Sequence, residues 1–170
     1  MAELTPLERL QPALLDRLCD DEPEKNVEPR ERRFLNRTQL RQAVLRDLAW
    51  LFNATRPTER DGYGKFPQVA RSVLNYGLPA LSGETASTLD TGSLEAWVRR
   101  AITEFEPRID AGTLEVEVVL ADEWMDQHNL IGIQIRGQVW AQPVPLEMVL
   151  RTELDLETGH VELRDLSGAG

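Results

Sequence analysis

Between Phe105 and Thr113 the hydrophobic period of this chain changes from that of a helix to that of a strand. On the N-terminal side, Leu94, Trp97, Val98, Ala101, Ile102 and Phe105 form one unbroken helical face. On the C-terminal side, Leu114, Val116, Val118 and Leu120 alternate with Thr113, Glu115 and Glu117. Pro107 disfavours helical geometry at Glu106, so the helix should stop near Phe105 or Glu106. The junction reads Phe105-Glu106-Pro107-Arg108-Ile109, a charged pair around a proline between two large apolar residues. A second Glu-Pro-Arg, Glu28-Pro29-Arg30, lacks periodic apolar neighbours and reads as solvated. Position in the pattern, not the tripeptide, gives the later copy its interest.

The remaining pattern fixes an α+β class. Leu40, Val44, Leu48, Leu51 and Phe52 give an amphipathic helix to about Asn53, with Thr38 as its expected cap and Arg46 and Asp47 off the apolar face. Pro67 opens a short helix that Gly77 and Pro79 close, and Ser93 is the expected cap of the helix ending at Phe105. Three further alternating runs follow: Ile131 to Val139, Leu146 to Asp155 and His160 to Leu163. Each is apolar on one side only, which predicts helices packed on one face of a small antiparallel β-sheet. The domain so defined spans 38–166, with a tail at 167–170.

Ahead of it, residues 1–20 carry Leu7, Leu10, Leu14 and Leu18 at helical spacing, widened by Leu15 and interrupted by Pro12. This predicts a separate N-terminal helix over 5–19, docked on its own domain or on a partner. Residues 21–37 form a charged linker with two prolines.

Acidic residues outnumber basic ones 29 to 19, a net charge of −10, against the clustered cations a nucleic-acid binder needs. Cys19 is the only cysteine, and His128 and His160 stand apart, so no metal-ligand spacing is present. The acidic loop Asp122–Asn129 lacks the glycine and spacing of a calcium site. No nucleophilic triad or cofactor signature occurs, and no catalytic residue is assigned. No export signal and no run of ~18 apolar residues is found, so a cytoplasmic location is expected. These exclusions leave an interaction protein.

Several segments together carry a resemblance. They are the Leu-rich N-terminus, the charged linker, Arg41-Gln-Ala-Val-Leu-Arg-Asp-Leu-Ala-Trp-Leu-Phe-Asn53, Ser72-Val-Leu-Asn-Tyr-Gly-Leu-Pro79, and Phe105 to Ile109 before a Val-rich strand. This order resembles the TssE family, baseplate subunits of bacterial type VI secretion systems, similar in turn to small wedge proteins of contractile phage baseplates. The resemblance implies a place in the wedge with TssF and TssG, and a platform on which the TssB–TssC sheath polymerises around the Hcp tube. It implies docking of the N-terminal helix (Leu7, Leu10, Leu14, Leu18) onto the wedge, and sheath attachment by strand addition. It also implies that Glu106, Pro107 and Arg108 serve assembly. A lysozyme-like label has been attached to family members, which would make the alternative a cell-wall glycosidase; no constellation here supports it. From the residues, Glu106 and Arg108 either meet a partner or pair internally between helix and sheet. The partner-facing case predicts that Arg108→Ala leaves the isolated protein folded.

Overall fold

A computed structural model describes residues 10, 12–19, 23–24, 34–57, 65–81, 89–119, 130–141 and 144–167. Among the described residues, four α-helices, α1 (Leu14–Leu18), α2 (Arg37–Asn53), α3 (Pro67–Ala70) and α4 (Thr91–Phe105), and one 3-10 turn, Val73–Asn75, accompany four strands: β1 (Glu115–Val119), β2 (Leu130–Val139), β3 (Leu146–Asp155) and β4 (Val161–Asp165). The strands form one antiparallel sheet in sequence order, β1-β2-β3-β4. This is the α+β architecture expected.

The alternation of the strands sets which face is buried. Val116, Ile131, Ile133, Ile135, Leu150 and Leu154 point to the core, while Glu115, Arg136, Glu147 and Arg151 lie on the wet face. Against the inner face pack Leu48 and Leu51 of α2 and Leu94, Val98 and Ile102 of α4, all at most 1% exposed. Each such side chain contributes about 1.5–3 kcal/mol by leaving water. Thr152 is the one hydroxyl fully inside this layer among the described residues, and it donates to the Ile133 carbonyl at 3.2 Å.

Both long helices start earlier than their expected caps. Asn36, not Thr38, caps α2: its side chain accepts from the Gln39 N–H at 2.8 Å, and Gln39 returns a bond to the Asn36 N–H at 2.9 Å. Asp90 caps α4 by accepting from the Gly92 N–H, while the Ser93 hydroxyl donates to Asp90 instead of capping. That hydroxyl bond is the main reason the Asp90 carboxyl is held below its usual range. The far end of α4 is as expected, with Glu106 at its C-cap.

The N-terminal helix is shorter than its leucine spacing predicts. Among the described residues it runs from Leu14 to Leu18 only. Pro12 lies before it, and Leu10 is not helical: it pairs with Leu35 in a single antiparallel bridge and is buried in the core. The expected helix start and Leu7 lie outside the described residues.

Candidate functional site

The exit of α4 is a four-residue turn. The Ile109 N–H donates back to the Glu106 carbonyl at 3.1 Å, with Pro107 in the second position that its fixed φ suits. The chain then runs alongside the end of β2. Trp140 N–H donates to the Arg108 carbonyl at 2.7 Å, and Asp110 N–H to the Gln138 carbonyl at 2.9 Å. Ile109 is buried there over Gly137, where an added Cβ would stand 3.2 Å from the Ile109 side chain. Helix end, turn and sheet thus hold Arg108 from both sides.

The side chains of the turn do not both face solvent. Glu106 is 3% exposed, whereas Pro107 is exposed. The Arg108 guanidinium forks onto Glu106, with Nε donating to Oε1 at 2.6 Å and Nη2 to Oε2 at 2.5 Å. The same Nη2 donates to Asp47 Oδ2 of α2 at 2.5 Å. Asp47 Oδ1 in turn accepts from Arg46 Nε and Nη2, at 3.0 and 2.8 Å. Arg46 Nη1 then donates to Asp16 of α1 at 2.6 Å. A continuous chain of charges, Glu106–Arg108–Asp47–Arg46–Asp16, links the α4 exit to α1 through α2. The sequence allows Glu106 and Arg108 an internal pair between helix and sheet; in the structure they pair with each other across the turn, and Arg108 reaches Asp47 of α2.

Burial disfavours the Arg108 charge, yet the hydrogen bonds and charges of Glu106 and Asp47 outweigh it and raise its pKa further. Arg46 is likewise raised, first by its bond to Asp16. Beneath the chain, Tyr76 stacks edge-on against Phe105, centroids 5.2 Å apart, and burial pushes its phenol up, with Asp47 and Glu106 adding to the shift. Two polar atoms stay buried without a partner among the described residues, Arg108 Nη1 and Asp16 Oδ2. Over the cluster lies a groove of about 510 Å³ walled by Ala13, Leu15, Trp50, Tyr76, Phe105 and Pro107. No metal-holding group of His, Cys, Asp and Glu occurs among the described residues.

Of the leucines assigned to docking, Leu14 and Leu18 are 71% and 73% exposed, while Leu10 is spent on the chain's own core. Asp16, Arg46 and Asp47 were not singled out from sequence. Their signal is faint: Arg46 and Asp47 sit beside the apolar face of α2, inside a stretch that carries the family resemblance.

Side chains cover both sheet edges in part. On β1, the Val118 N–H donates to Glu95 of α4 at 2.9 Å, and Arg99 donates to the Leu114 carbonyl. On β4, the Asn53 carboxamide at the end of α2 pairs with Val161 like a strand neighbour, donating to its carbonyl at 2.9 Å and accepting from its N–H at 3.0 Å. Leu163, two residues further along β4, lies opposite Thr152 of β3.

The family model of Baseplate wedge protein gp25 matches residues 38–144, well over half of the chain. The chain belongs to the baseplate wedge protein family. The match begins in the first turn of α2 and ends past β2, so it takes in both Asp47 and the Glu106–Arg108 turn. No curated protein and no solved structure matches the chain. Wedge-family membership gives a phage-baseplate-like structural role and interaction with other baseplate components. Among the described residues no helix is long and apolar enough to cross a membrane.

Proposed function

We propose that this wedge-family chain is the TssE-type subunit of a type VI secretion baseplate, without catalytic activity and acting in the cytoplasm. In this reading it links TssF and TssG to the TssB–TssC sheath and supports the start of sheath assembly. The observation that carries the reading is the family match over 38–144, joined to the sequence order that resembles TssE before and within it. The charge cluster supports it in a specific way. Glu106 and Arg108 are locked by each other and by Asp47, so the exposed Pro107 and the groove beside it are offered on a rigid mount. Rigid presentation lowers the entropic cost of docking.

The role of Glu106 and Arg108 in assembly is therefore to shape the surface. Leu14 and Leu18 supply exposed apolar area toward the wedge, and Leu7 belongs to the same docking segment. Leu10 contributes by anchoring that segment to the domain. Strand addition from the sheath would use the β4 edge at Leu163, with Asn53 marking where the pairing must stop or be exchanged. The deciding experiment is a pull-down with the tagged chain from cells carrying a type VI cluster. TssF, TssG and sheath protein should be recovered; recovery of none of them overturns the reading.

A further inference from the structure

The Asn53 carboxamide is set against the sheet as if it were a peptide group. A side-chain amide carries the same donor and acceptor as the backbone, and Asn53 spends both on Val161 while its amide also donates to the Ala49 carbonyl at 2.8 Å. From this we infer that Asn53 is a guard: it masks a self-complementary β4 edge and so keeps this chain from pairing with a second copy of itself. The inference needs nothing from the baseplate reading.

The register shows what the guard covers. The Asp155 N–H donates to the His160 carbonyl at 2.9 Å, and the Leu166 N–H to the Val149 carbonyl at 2.8 Å. Even-numbered residues along β4 therefore turn their backbone groups to β3. Val161, Leu163 and Asp165 turn theirs to the outer edge, and the Asn53 bonds to Val161 have that direction. A two-fold axis through Leu163 would set β4 antiparallel to its copy, with Leu163 facing Leu163 and each Val161 facing Asp165 of the other chain. All of these would be hydrogen-bonded pairs. Asn53 already fills the Val161 end of each copy, so both outer pairs are blocked and the central one alone is left.

The occupant follows from the charges on the wet face, where the Glu162 and Arg164 side chains are each more than half exposed. Within the chain each lies opposite its own sign, Glu162 beside Glu153 and Arg164 beside Arg151. Arg164 offsets this by reaching diagonally to Glu153 at 3.5 Å and back to Glu162 at 3.4 Å. In the two-fold register Glu162 of one copy stands opposite Arg164 of the other, and the converse pair repeats it. Both pairs fall at non-hydrogen-bonded positions, where facing side chains are closest. The edge thus fits its own copy in charge as well as in backbone, which is the pairing a folded monomer has to prevent.

Sedimentation velocity of the full chain tests this. The native protein should stay monomeric, whereas Asn53→Ala, folded by far-UV circular dichroism, should form dimers with self-association tighter by about tenfold or more. Adding Glu162→Lys sets like charges opposite each other and should return that variant to monomer. Adding Arg164→Glu as well restores opposite signs and should bring the dimer back. A folded Asn53→Ala chain no more associated than the native one overturns the guard. A dimer indifferent to Glu162→Lys overturns the β4 register. Asn53→Ser, too short to span the Val161 N–H and carbonyl, repeats the test if the alanine variant does not fold. Unfolding of both variants assigns Asn53 to stability alone and overturns the inference.

Discussion

The two ends of the charge chain invert the usual placement of residues. At one end a carboxylate and a guanidinium sit inside, with Glu106 3% exposed; at the other, Leu14 and Leu18 stand more than 70% exposed. Charged groups are almost never buried unless paired, whereas two exposed leucines on one helix leave a small apolar patch uncovered. The contrast separates two ways a surface can serve assembly. Under the proposed assembly role, the Glu106 end would contribute by being rigid and the leucine end by leaving apolar area uncovered. Their mutational signatures should therefore be opposite in stability and alike in assembly.

The largest effect on stability is expected for Arg108→Ala. It strands the Glu106 charge in a buried site, and breaking a buried pair by removing one partner costs about 3–5 kcal/mol. Urea unfolding should show a clearly lower midpoint, contrary to what a partner-facing Arg108 implies. Replacing both partners at once, Glu106→Gln with Arg108→Met, should lose less than the single change. A single variant as stable as the native chain would mean the pair is held by something other than mutual neutralisation.

How much of this could be read from the residues alone differs between the two ends. The helix stop at Glu106, the change of period and the four alternating strands follow from local rules, and the structure has them. That Glu106 turns inward does not follow from local rules. It depends on Asp47, 61 residues from Arg108 and brought beside it only when α2 and α4 share a core. The leucine spacing was legible but its meaning was split. Leu10 sits before Pro12 and pairs with Leu35, while Leu14 and Leu18 follow it on a short helix. Proline placement hinted at that break; the long-range bridge that buries Leu10 left no mark in the pattern. The other Glu-Pro-Arg, at 28–30, lies outside the described residues.

Gly77 tests whether the buried end needs its scaffold. Its φ is +112°, and an added Cβ would stand 2.1 Å from the Ala54 carbonyl oxygen. There the chain passes against the end of α2, with Leu78 N–H donating to Ala54 at 2.9 Å. Gly77→Ala combines this overlap with a backbone conformation that costs about 1–3 kcal/mol. Because Tyr76 precedes it and packs on Phe105, the Trp50 fluorescence beside the groove should change as well. Loss of stability without any change at the groove would detach this segment from the site.

A smaller effect belongs to Tyr76 in alkali. Its pKa is raised in the folded state, chiefly by burial and then by Asp47 and Glu106. The stability linked to it is fully present below the unfolded value of about 10 and is lost as pH rises through the folded value. Tyr76→Phe should flatten this alkaline decline in thermal unfolding and change little at neutral pH. An unaltered decline would place its cause elsewhere, away from the carboxylates of the cluster.

The smallest stability effect is expected at the other end. Leu14→Ser/Leu18→Ser removes two side chains that bury nothing in this chain, so unfolding should shift by no more than about 0.5 kcal/mol. The control is Leu10→Ala, four residues earlier, which should cost about 2–5 kcal/mol because Leu10 is 4% exposed in the core. Capture of TssF–TssG should fall in the double serine variant although its fold is intact. If the serine variant unfolds as readily as Leu10→Ala, the leucines pack on their own domain, and the contrast between the two ends disappears. If it is stable and captures normally, the exposed leucines serve no wedge contact, and the rigid Glu106 end carries the docking alone.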